Sequence, residues 1–174
     1  MNRRLVLQGG LVGGSALLLA ACGFKLRGAA TYAFDTIAVT ASQNGAVTAE
    51  LRNALGARLR ESVASAATSG ASAPAPAQVT IEILQELRER SVAGVNAAGQ
   101  VRELQLRIRV KFRLRNASGK DIIEDTELLQ QRDISFNESA VLAKEVEEAL
   151  LYRNMQTDIV QQLLRRLAAV KSIT

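Results

Sequence analysis

Between Leu104 and Arg115 the chain alternates strictly. Leu104, Leu106, Ile108, Val110, Phe112 and Leu114 share one parity, and Gln105, Arg107, Arg109, Lys111, Arg113 and Arg115 share the other. Successive side chains on a strand point to opposite faces, so this pattern describes a half-buried β-strand with one apolar and one cationic face. A lone strand cannot hide that apolar row. It needs paired neighbours and a covering layer, which restricts the chain to sheet-based architectures.

The flanking segments supply both. Asn116-Ala117-Ser118-Gly119 reads as a turn, and 121–136 returns as a strand with Ile122, Leu128, Ile134 and Phe136 on one side. Upstream, Val79, Ile81 and Ile83 alternate with Thr80 and Glu82. The pattern then blurs, and a long strand over 79–92 is expected, followed by a hairpin loop over 93–100. A short β-rich run at 34–41 closes on Ser42-Gln43-Asn44-Gly45. Val47, Leu51, Leu55, Leu59 and Val63 fall four apart and predict an amphipathic helix over 47–64. A second helix is expected over 139–170, with Asn137 or Ser139 at its start and Arg165, Arg166 and Lys171 near its negative end. The Ala/Ser/Thr/Gly/Pro stretch 65–78 reads as a flexible loop.

The expected order is β-α-β-β-β-α. The fold class is α+β: a two-layer sandwich with two helices on one face of a four-stranded, mostly antiparallel sheet. The first β-α-β unit is right-handed if its strands are parallel neighbours. The second face of the sheet is then open, and it carries the cations. Residues two apart on a strand stand about 7 Å apart, so each adjacent pair repels by roughly 0.6 kcal/mol in water. The returning strand offers relief. Pairing through the turn sets Arg115 against Asp121, Lys111 against Asp125 and Arg109 against Glu127, and leaves Arg107 and Arg113 without a carboxylate. Residues 101–115 hold six cations and one anion, so the sheet edge with Arg102 and Arg107 is locally positive. Such a face suits an anionic amphiphile with phosphates.

Composition excludes several chemistries. The 174 residues include no His and one Cys, and 22 Lys+Arg stand against 17 Asp+Glu. Histidine-dependent nucleophilic catalysis, a multi-ligand zinc site and an internal disulfide are ruled out. The carboxylates at Glu124-Asp125, Glu127 and Glu147-Glu148 imply no cleft and read as solvent charge, so no enzyme, catalytic residue, metal or cofactor is expected. Nucleic acid is disfavoured, because Phe and Tyr total six and the chain opens like an exported one.

That opening has Arg3 and Arg4, a short apolar run over 5–21, and Leu19-Ala20-Ala21-Cys22. The run is short for a membrane span and has the layout of a secretory signal. Its end resembles the lipobox of bacterial lipoproteins, which implies a signal peptide over 1–21 and acylation of Cys22. Gly23, by the same resemblance, implies forwarding to the outer membrane. Arg3-Arg4 also faintly resembles a twin-arginine signal. Residues 22–33 read as a tether, and 34–174 as one domain.

Cys22-Gly23-Phe24-Lys25-Leu26-Arg27 resembles the mature start of the LptE (RlpB) family of lipopolysaccharide-assembly lipoproteins, matching at Cys22, Gly23, Phe24, Leu26 and Arg27. Gly99-Gln100 before the alternating strand, Leu142-Ala143-Lys144 at the head of the last helix, and Gln162-Leu163-Leu164-Arg165-Arg166-Leu167 near its end extend the likeness. The loop 65–78 departs from it. The resemblance implies a periplasm-facing plug within the outer-membrane barrel LptD that assists barrel assembly and binds lipopolysaccharide (LPS). It points to basic residues on the sheet side and to Lys144. The expected LPS contacts are Arg102, Arg107, Arg109, Lys111, Arg113 and Lys144. The alternative is a pilotin-like chaperone of another secretion barrel, which would bind a peptide.

Overall fold

The computed structural model describes residues 31–60 and 76–173. Strand β1 (Ile37–Ala41) leads into helix α1 (Ala46–Leu55), a 3-10 turn (Gly56–Arg58) and a two-residue strand β2 (Leu59–Arg60). Three long strands follow: β3 (Val79–Val95), β4 (Val101–Asn116) and β5 (Asp121–Ser135). A 3-10 turn (Glu138–Ala140) then precedes helix α2 (Val141–Ala168).

The sheet is five-stranded and mixed, in the order β2-β1-β3-β4-β5. β1 runs parallel to both β2 and β3, while β3, β4 and β5 are antiparallel. The expected four-stranded sheet therefore gains an edge strand, and the expected first helix loses its second half. The cause is Gly56. Its φ of 49° lies in the left-handed region, where glycine is the residue that stops a helix without strain. Leu59, expected on the helical stripe, instead pairs with Ile37. The expected helical residues 61–64, and all but the last three residues of the expected 65–78 loop, lie outside the described residues.

The blur in β3 is a bulge. Ile83 faces Phe112 and Gln85 faces Lys111, so Leu84 is the extra residue and every later side chain changes face. Beyond it, Glu86, Arg88 and Arg90 stand opposite Val110, Ile108 and Leu106 on the helix side. Each finds a partner there. Glu86 accepts hydrogen bonds from Val47 N at 2.9 Å and from Thr48 N and Oγ1 at 3.2 and 3.1 Å, capping α1 from across the fold. Gly45 makes room, because a Cβ there would overlap the Glu86 carboxylate. The Arg88 guanidinium lies 3.5 Å from the centre of the Tyr152 ring, and Arg90 pairs with Glu148 at 3.2 Å.

The core lies between the sheet and the helices. Leu104 through Leu114 bury their even-numbered side chains against Val47, Leu51 and Leu55 of α1 and Met155, Ile159, Leu163 and Leu167 of α2. Both helices thus cover one face, as the alternation requires, and the odd-numbered face of β4 is left open.

Candidate functional site

The open face carries Arg107, Arg109, Lys111, Arg113 and Arg115 in a row along β4, with β3 on one side and β5 on the other. Its ends differ. At the Arg115 end the carboxylates are dense. Glu82 of β3 meets Arg113 at 2.6 Å and Arg115 at 3.5 Å, and Asp121 meets Arg115 at 2.8 Å. The hydrogen bond that Arg115 Nε donates to Asp121, reinforced by the charge of Glu82, raises the Arg115 pKa above its ordinary value. Arg113 was expected to lack a carboxylate, and the structure corrects this. The register used for that expectation considered β5 alone, whereas Glu82 lies directly opposite Arg113 on β3.

The middle of the row keeps the expected ion pairs by a different geometry. Lys111 meets Asp125 at 3.5 Å and Arg109 meets Glu127 at 3.6 Å. Two irregularities between Phe112 and Arg115 shift β5, so Lys111 stands directly opposite Glu127 and Arg109 opposite Leu129. Both pairs are therefore diagonal.

Toward the hairpin the face changes character. Arg109 stands between Leu87 and Leu129, which are 36% and 47% exposed. Arg107 stands between Glu89 and Gln131, and among the described residues it makes no ion pair. Its Nη2 donates to Gln105 Oε1, while its buried Nε, like that of Arg109, has no hydrogen-bond partner among the described residues. The result is a guanidinium with no ion pair among the described residues, beside two exposed leucines. Leu87 was not anticipated in this patch, because the bulge at Leu84 sets its face and the sequence pattern there is blurred.

Two further expected contacts lie elsewhere. Arg102 sits where the β3–β4 register shifts near the hairpin and is exposed, with Nη2 donating to Gln100 Oε1 at 3.4 Å. Lys144 belongs to α2 on the helix side, where Nζ donates to Ser135 Oγ at 3.0 Å and to Glu147 Oε2 at 2.8 Å. It borders a cavity of about 250 Å³ with Arg90, Leu104, Ile134 and Phe136. The structure therefore brings Arg107, Arg109, Lys111 and Arg113 together and leaves Arg102 and Lys144 apart from them. Cys22 lies outside the described residues.

The described domain is a two-helix α+β sandwich with a basic face on its long hairpin, and domains of this fold occur among bacterial lipoproteins. The chain is 30% identical to lipoprotein B of Nitrosomonas europaea, solved by NMR, with a TM-score of 0.67 over 84% of this chain and 91% of that one. It shares its fold with the rare lipoprotein B of Shewanella oneidensis, at 20% identity and a TM-score of 0.60, over 77% of this chain and 94% of that one. The same holds for a minor lipoprotein of Acinetobacter baumannii, at 19% identity and a TM-score of 0.58, over 80% and 94%. A comparison with curated protein sequences gave no match. The lipopolysaccharide-assembly model LptE matches residues 34–167, and the chain belongs to that family, whose members are lipoproteins and not enzymes.

Proposed function

We propose that the chain is an outer-membrane lipoprotein, made with a signal peptide over 1–21, acylated at Cys22 and held by the tether 22–33. It binds LPS on the open face of its sheet and seats in the LptD barrel, whose assembly it assists. The observation that carries the LPS reading is the Arg107–Arg109 patch. A spare guanidinium suits a lipid A phosphate, and Leu87 and Leu129 beside it suit acyl chains; the ion-paired cations toward Arg115 offer neither. Arg107 and Arg109 are accordingly the leading contacts, with Lys111, Arg113, Arg102 and Lys144 as supporting charges. Seating in a barrel with a polar interior fits a sheet face that is charged yet largely neutralised by its own ion pairs.

The test is LPS affinity. An Arg107→Gln/Arg109→Gln double variant is expected to lose about ten- to a hundred-fold, the worth of one charged hydrogen bond. Arg113→Gln is expected to lose much less, because Glu82 already occupies that guanidinium. Competition by a barrel-derived peptide instead of lipid A would favour a pilotin-like role, and co-purification of a large β-barrel with the acylated protein checks the partner.

A further inference from the structure

The end of the domain away from the hairpin gathers cations that the fold does not use. There the turn Asn116–Lys120 meets the residues after α2, and the Asn116 side chain donates to Ile173 O at 3.2 Å. Ala117 N donates to Gln78 O, and the Gln78 side chain accepts from Asp35 N at 2.7 Å. The described chain therefore begins at this same end. Lys120, Arg166 and Lys171 are exposed, and among the described residues none of them makes an ion pair. The carboxylate next to Lys120, Asp121, is already held by Arg115 at 2.8 Å. Arg166 and Lys171 border an open groove of about 410 Å³ floored by Ile122, Ile123 and Val170.

We infer that this end is a docking surface for an anionic phospholipid bilayer, with Arg166 and Lys171 at the rim of that groove and Lys120 in the neighbouring turn meeting headgroup phosphates. Charge is the first argument. The cations at the Arg115 end of the open face are ion-paired, whereas these three make no ion pair among the described residues, and Arg166 and Lys171 border the half-buried Ile122, Ile123 and Val170, a juxtaposition that suits a headgroup and its glycerol region. Reach is the second. Cys22 lies nine residues before Thr31, so a fully extended tether spans about 30 Å. β3 has 17 residues and covers about 55 Å, which puts the hairpin beyond that reach. An acyl anchor at Cys22 therefore brings the Lys120 end, and not the hairpin, within reach of the lipid. The inference draws on the Cys22 reading for this length alone, and it concerns a surface distinct from the Arg107–Arg109 patch.

The experiment uses the unacylated chain starting at Gly23, which retains the whole described domain, with folding checked by circular dichroism. Flotation with phosphatidylglycerol vesicles is expected to carry the protein up, and flotation with phosphatidylcholine vesicles is not. Neutralising all three cations (Lys120→Gln, Arg166→Gln, Lys171→Gln) is expected to lower the partition about a hundred-fold, at roughly five-fold per cation near a membrane. An Arg132→Gln/Arg153→Gln variant, with two exposed cations away from this end, is expected to float like the parent. Equal loss in both variants, or binding to both lipids alike, overturns the inference. So does full competition by inorganic phosphate, which would mark a free-anion site. Because no acyl chain is present, a failure here leaves acylation of Cys22 and LPS binding untouched.

Discussion

The two ends of the cation row on β4 share one backbone pattern and have opposite surroundings. At Arg113 and Arg115 the neighbouring strands deliver Glu82, Asp121 and Asp125, and the guanidiniums are consumed by the fold. At Arg107 and Arg109 the neighbours are Leu87, Leu129, Glu89 and Gln131, and among the described residues only one ion pair forms. The difference arises across the strands, not along β4. A periodic run of cations tells which face is charged, and its partners tell whether the charge holds the sheet together or is available for a ligand.

The widest test asks whether the two ends rest on one shared core. Val110 is buried on the helix side directly beneath the boundary between them. Val110→Asp is expected to cost about 4 kcal/mol or more, because an unpaired carboxylate enters an apolar layer, and to abolish the folded signal in circular dichroism. Arg109→Asp, one residue along and on the open face, is expected to shift a urea midpoint far less, since exposed pairs are worth about 0–1 kcal/mol. Comparable losses at both positions would contradict a sheet covered on one face only.

A narrower test separates the ends. Glu82 is about one-quarter exposed and serves two guanidiniums at once. Glu82→Gln is expected to cost about 1 kcal/mol after allowance for solvent screening, measured by urea denaturation at low salt. Glu127→Gln breaks the single 3.6 Å pair with Arg109 and is expected to cost no more than a few tenths. Raising the salt concentration should shrink both differences, the Glu127 one first, because its partners are the more exposed.

The same contrast shows what could be read before the structure. The open cationic face follows from the parity of 104–115, since that parity is set by the backbone, and the two covering helices follow from the four-residue spacing of Val47, Leu51 and Leu55 and from the helical pattern expected over 139–170. The ion pairs of Arg109, Lys111 and Arg115 were legible because their partners lie on the next strand across a short turn. The Arg113–Glu82 pair was not, because its register depends on a strand about 30 residues away. Leu87 was hidden for a related reason. One extra residue at Leu84 reverses the face of everything beyond it, and only the facing strand reveals a bulge. β2 escaped because Leu59 also fits the helical stripe, and the stop signal rested on a single glycine, Gly56, whose left-handed φ is a tertiary outcome.

The change with the most direct bearing on function leaves stability nearly level. Arg107 keeps a buried Nε with no hydrogen-bond partner and makes no ion pair among the described residues. A polar group in that state costs stability, because it has given up water and gained nothing in exchange. Replacing Arg107 by Met keeps the apolar stem and removes the unsatisfied nitrogen, so stability is expected to stay level or rise by about 0.5 kcal/mol. The matching change at Arg113, which breaks the 2.6 Å contact with Glu82, is expected to lower it by about 1 kcal/mol. LPS affinity should move the opposite way, falling for Arg107→Met and holding for Arg113→Met. A residue that weakens the fold but strengthens ligand binding is reserved for the ligand. Parallel urea titrations and LPS-binding curves on the two variants decide the point. If Arg107→Met loses stability as Arg113→Met does, the two ends of the row are equivalent and the patch is an ordinary ion-paired surface.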